Sequence, residues 1–107
     1  MGLAEGKCKP CHGETPPLEH DAIAAFHKEL DGWQVIDDHH LIKTWSFNDF
    51  ASALAFTNEV GALAEAEGHH PDIFLAWGRV ELKIWTHDVG GLTENDFVLA
   101  AKCDRLS

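Results

Sequence analysis

Several features that would direct this chain toward a membrane, a nucleic acid or a secreted scaffold are missing. No apolar run approaches the roughly 20 residues needed to span a bilayer. The N-terminus shows no continuous apolar segment of the secretory kind. Lys and Arg total only 8 against 18 Asp and Glu, a formal charge of −10. Nucleic-acid recognition needs a basic patch, and the same charge balance disfavours anionic membranes and polyphosphate ligands. Three Cys are an odd number and a poor basis for a disulfide framework, so a reducing cytoplasm is the expected compartment. There is no internal repeat and no low-complexity tract. The expected partner is a neutral small molecule or another protein surface.

What is present suits one folded domain. The chain has 107 residues, 45% of them apolar, with four Trp and six Phe as bulky core material. Eight His in this length are the outlying feature. Histidine titrates near neutrality, so the excess points to proton transfer or metal binding.

Near the start stands CKPCH, with Cys8, Cys11 and His12 in the spacing of c-type haem attachment. That reading is disfavoured by the absent export signal and because Met1 is the only Met available as an axial ligand. A zinc site from Cys8, Cys11 and His12 or His20 is the stronger alternative, but no second CxxC or HxxxH closes it. The plain reading, a Pro/Gly-punctuated segment lying against the domain, is preferred to both. Residues 1–17 are therefore set apart as an N-terminal Cys/Pro-rich extension, and 18–107 as the domain.

Along that domain, LEHDAIAAFHKEL places Leu18, Ile23, Phe26 and Leu30 at helical spacing, with Gly32 as its end. Trp33–Ile36 and Leu41–Phe47 flank the polar DDHH and read as a β-hairpin. NDFASALAFTNEVGALAEAEG is a longer helix whose apolar residues cover nearly half its circumference, wider than one sheet contact needs. Part of that face is expected to pack on a second subunit, and a monomeric mass by light scattering would contradict this. A strand over 72–77 and an alternating strand over RVELKIWTH follow, turning at Gly78-Arg79. Thr93 and Asp96 form a capping box, with Asp in the usual Glu/Gln place, for a final helix. The order α-β-β-α-β-β-α predicts an α+β domain: a four-stranded antiparallel sheet with three helices on one face and the other face partly open.

Three histidines stand out within this order. His69 and His70 lie at a helix-to-strand junction set by Gly68 and Pro71, and His87 is expected at the end of the last strand. A hairpin brings these two ends together, and imidazoles facing one pocket can act as acid and base near neutral pH. Solvent-exposed turn histidines are the competing reading, as for His39 and His40. A three-His metal site is disfavoured because adjacent side chains seldom converge on one ion. Asp96, taken alone, reads as a helix cap.

Taken together, Glu65, His69-His70-Pro71, Trp77, His87 and Asp96 resemble the signature of the pterin-4a-carbinolamine dehydratase family. The stretch EGHHPDIFLAWGRVELKIWTHDVGGLTENDFVLA carries it, DGW before the first strand fits, and the resemblance covers the chain after Pro17. It implies a hydro-lyase that dehydrates 4a-hydroxytetrahydropterin to quinonoid dihydropterin, recycling the tetrahydrobiopterin-type cofactor of aromatic amino acid hydroxylases. It also implies a homodimer or homotetramer, through the 49–68 helix or sheet edges, with no metal and no cofactor beyond the pterin substrate. His69, His70 and His87 would line the pterin pocket. On this basis His69 and His87 are expected to exchange protons and His70 to orient the pterin. Asp96 is expected to hold an imidazole, cap its helix, or both, and Glu65 to position His69 from one turn back. Trp33 and Trp77 are offered as aromatic walls, with core packing the preferred place for Trp77. Two other classes compete: a protein-binding dimerisation or coactivator module using the 50–64 face, and a metal protein built on Cys8, Cys11 and histidines.

Overall fold

A computed structural model describes residues 2–6, 8 and 16–106 of the chain. After a 3-10 turn at Leu3–Glu5, the order is α1 (His20–His27), β1 (Gln34–Ile36), β2 (His40–Ser46), α2 (Phe50–Glu67), β3 (Asp72–Ala76), β4 (Arg79–Ile84) and α3 (Glu94–Asp104). The four strands pair antiparallel in the order β1-β2-β4-β3, giving the α+β arrangement predicted, with β4 inside the sheet.

Period-two alternation divides that sheet into two faces. Val80, Leu82 and Ile84 of β4 are fully buried, and the register sets them opposite Trp45, Lys43 and Leu41 of β2. Residues directly opposite share a face, so this is the face covered by the helices. Glu81 and Lys83 point to the open face. Lys43 is the polar exception on the core side. Its Nζ donates to the Asp31 carbonyl at 2.7 Å and to Asp104 Oδ1 at 2.8 Å, and lies 5.0 Å from the Trp45 ring centre. The charge is thus paired at the core margin, where its stem still packs on aromatic surface.

The helices are anchored by recognisable ends. Asp49 accepts the Ser52 N–H at 2.7 Å as the N-cap of α2. Gly68 leaves α2 in the left-handed region, φ 66°, and the His69 N–H returns to the Ala64 carbonyl at 3.2 Å. This is a Schellman-type stop that the missing Cβ of Gly68 makes inexpensive. On α2, Ala53, Phe56, Val60 and Ala64 enter the core while Phe50 and Leu54 stay exposed. Between β1 and β2, Asp37 and Asp38 both adopt φ 54°, which short Asx side chains tolerate better than most residues.

Some boundaries differ from the pattern-based expectation. α1 has only the eight residues His20–His27, and Leu18 lies before it, its N–H bonded to the Leu92 carbonyl at 2.8 Å. β4 stops at Ile84. Beyond it Thr86 makes only an isolated bridge to Gly91, so His87 sits in a turn rather than at a strand end. The Val89 and Gly90 N–H groups both close onto the Thr86 carbonyl, which bends the chain away from the sheet. No helix among the described residues is long and apolar enough to cross a membrane.

Candidate active site

The stop at Gly68, the turn after Ile84 and the N-terminus of α3 meet at one end of the β3–β4 hairpin. They enclose a cavity of about 440 Å³ whose lining includes His69, His70, His87, Trp85, Thr86 and Asn95. Glu67 and Cys8 complete one wall.

Asp96 is the buried centre of the site. It is fully excluded from solvent at the first turn of α3, yet its carboxylate is saturated with donors. Oδ2 accepts the Thr93 N–H at 2.8 Å and the Thr86 hydroxyl at 2.9 Å. Because Thr86 donates there, the Thr93 hydroxyl, 2.8 Å from Thr86 Oγ1, supplies the proton of their mutual bond. Oδ1 lies 2.6 Å from His69 Nε2. A carboxylate oxygen accepts, so the bond is made with Nε2 carrying the hydrogen, which leaves Nδ1 without it. One side chain therefore caps a helix and fixes an imidazole.

His70 bonds Glu65 Oε2 through Nε2, on the exposed side of the junction. Glu65 thus reaches His70, not His69; at the end of α2 the left-handed turn carries the two adjacent rings to different partners. His87 is exposed and lies against Trp85, ring centres 4.2 Å apart.

The two aromatic walls proposed from sequence lie elsewhere. Trp33 is buried and its Nε1 donates to the Asp104 carboxylate at 3.1 Å, near the C-terminus of α3. Trp77 is at the β3–β4 turn, the far end of that hairpin, and is 69% exposed rather than packed in the core. Among the described residues, Trp85 is the tryptophan that lines the cavity. In the sequence, the alternation of RVELKIWTH sets Trp85 on one side with Glu81 and Lys83, and Thr86 on the other with Val80, Leu82 and Ile84, and carries no sign of the Thr86 hydroxyl's bond to Asp96.

Cys8 joins the wall through its backbone N–H, which donates to Glu67 Oε1 at 3.0 Å, while Glu67 Oε2 pairs with Lys102 Nζ at 2.9 Å. The Cys8 N–H and then Lys102 hold the Glu67 carboxyl below the usual range. Burial, with the Glu67 charge adding, pushes the Cys8 thiol up to about 12. Of the other proposed zinc ligands, His20 pairs with Asp38 at 2.9 Å, and Cys11 and His12 lie outside the described residues. Among the described residues no group of three or more His, Cys, Asp or Glu side chains is arranged to hold a metal ion.

The fold and site define a small α+β domain with a histidine–carboxylate pair in an open cavity, a constellation suited to proton transfer. Residues 16–106 match the family described as pterin 4 alpha carbinolamine dehydratase, and the chain belongs to that family. A Rubrobacter xylanophilus protein, provisionally described as a pterin-4-alpha-carbinolamine dehydratase, is 51% identical over 104 residues, 97% of each chain. One from Alkaliphilus metalliredigens with the same provisional description is 51% identical, covering 96% of this chain and 94% of its own. Among solved structures, the transcriptional coactivator/pterin dehydratase from Brucella melitensis superposes with a TM-score of 0.79 at 32% identity, covering 84% of this chain and 97% of that one. A pterin dehydratase-like protein described as a RuBisCO assembly factor of the alpha-carboxysome gives 0.61 at 26% identity, over 71% and 89%.

Proposed function

We propose that this chain dehydrates a 4a-hydroxytetrahydropterin to the quinonoid dihydropterin and water by histidine acid/base catalysis, as a cytoplasmic step in recycling the pterin cofactor of aromatic amino acid hydroxylases. The observation that supports this most is the His69–Asp96 pair, 2.6 Å apart, beside a cavity that His70 and His87 also line. Dehydration breaks the bond from C4a to its hydroxyl, and one proton must reach the departing oxygen. A second proton leaves the adjacent ring nitrogen as the C=N bond forms. With Nε2–H engaged by Asp96, His69 Nδ1 is arranged to take a proton, and the buried carboxylate would stabilise the imidazolium that results. His87, which also lines the cavity, would deliver the other proton to oxygen. His70, held by Glu65, would orient the pterin by hydrogen bonding.

Stopped-flow dehydration of chemically prepared 4a-hydroxytetrahydropterin tests this, with the spontaneous reaction subtracted. The wild-type protein is expected to accelerate it, and to keep its rate after exhaustive chelation of metals. A rate no faster than the uncatalysed one would sink the proposal. Loss on chelation with recovery on adding a metal would replace a metal-free site with a metal-dependent one.

Association with further copies is proposed on α2, where Phe50 and Leu54 remain exposed beside the face that enters the core. A dimeric or tetrameric mass by light scattering is the expected result. The same surface supports the alternative of a protein-binding module, which a stoichiometric partner combined with no dehydratase activity would favour.

A further inference from the structure

His87 is unlike the other two cavity histidines in how it is held. His69 is bonded to Asp96 and His70 to Glu65. His87 projects from the turn after β4, exposed, and makes no hydrogen bond among the described residues. Its contact is the indole of Trp85, with ring centres 4.2 Å apart and planes inclined by 49°. A terminal imidazole on such a turn would otherwise sample several rotamers.

Trp85 is itself gripped from the opposite strand. Continuing the Leu41↔Ile84 register by one residue sets His40 opposite Trp85, on the open face of the sheet. The His39 ring centre lies 5.3 Å from that of Trp85 and the His40 ring centre 6.2 Å away. Lys83, two residues earlier on the same face, places Nζ 4.9 Å from the indole centre. The β1–β2 turn and β4 thus brace the indole, and the indole backs the imidazole.

We propose that Trp85 is a positioning residue: its indole face holds the His87 imidazole at the cavity rim in the orientation that proton transfer requires. This deepens the dehydratase reading and rests on it. The expectation differs from that for an aromatic wall that merely binds the pterin, because a positioning role acts on kcat with little change in KM.

The test compares wild type, Trp85→Leu and Trp85→Phe. Leu keeps apolar volume without a ring, and Phe restores a ring face. Trp85→Leu is expected to lower kcat about tenfold with KM within about twofold, and Trp85→Phe to recover most of it. In NMR spectra of the free protein, the His87 ring protons are expected at ring-current-shifted positions in wild type and Trp85→Phe. In Trp85→Leu they should return toward free-imidazole values. Unchanged kcat in Trp85→Leu, a loss confined to KM, or His87 signals indifferent to the substitution would each overturn the proposal. Should the wild type prove inactive, that failure belongs to the dehydratase reading, and the ring shifts still decide whether Trp85 holds the imidazole.

Discussion

His69→Ala is expected to lower kcat for pterin dehydration by roughly 10²–10³-fold, the range for removing a positioned acid or base. The stability change should be small, because His69 lies at the margin of the core and its loss leaves no apolar void. The buried side of the pair sets the limit on that statement: without the imidazole, Asp96 Oδ1 loses one donor while Oδ2 keeps the Thr93 N–H and Thr86 hydroxyl. Water entering from the cavity can replace the missing donor. Stopped-flow rates with the spontaneous background removed, read beside a thermal melt, separate the two effects. A folded His69→Ala protein with wild-type kcat would remove His69 from the chemistry and transfer the proton-accepting role to His87 or to solvent.

Asp96 should give a larger combined effect, because one carboxylate serves the cap, the threonine pair and the imidazole. Asp96→Ala strands three buried donors at once: the Thr93 N–H, the Thr86 hydroxyl and His69 Nε2–H. Leaving buried polar partners unmet costs about 3 kcal/mol in total, which for a domain of this size lowers Tm by roughly 10 °C or more. Asp96→Asn isolates the chemical role. Its carbonyl oxygen can still accept from Thr93 and Thr86, but its amide then donates toward His69 and pushes the imidazole hydrogen onto Nδ1. That is the wrong tautomer for a base, and kcat is expected to fall about 10²-fold with much less loss of Tm than in Asp96→Ala. If Asp96→Asn keeps full kcat, Asp96 is only a structural cap.

Much of this arrangement was legible in residue order because it depends on local rules. Gly68 followed by His69-His70-Pro71 encodes a helix stop and the entry to a strand within four residues. Thr93 with Asp96 encodes a helix start, although that pattern alone could not say that Asp96 would spend its second oxygen on His69. The alternation of Val80, Leu82 and Ile84 marked the core face, and the contrasting Glu81 and Lys83 marked the open one. The strand's end is less legible: Trp85, Thr86 and His87 continue the same alternation, but the turn closed by the Val89 and Gly90 N–H groups takes His87 out of the strand.

The aromatic residues show most clearly where local rules ran out. Trp33, Trp77 and Trp85 are alike in sequence as large rings near turns or strands. Trp33 is drawn inward because the C-terminus of α3 presents Asp104 to its indole N–H. Trp77 is left in solvent at the turn between β3 and β4. Trp85 reaches the cavity because antiparallel register brings His39 and His40 of another hairpin against it.

By itself, then, the sequence determined which residues are candidates for the chemistry, where the helices stop and start, and which face of each strand is apolar, since all of these follow from spacings of a few residues. Only the tertiary structure decided that Asp96 meets His69, that Glu65 goes to His70, and that Trp85 rather than Trp33 or Trp77 walls the site. Those pairings join residues from separate elements. They depend on strand register and helix placement, which are set by the packing of the whole core.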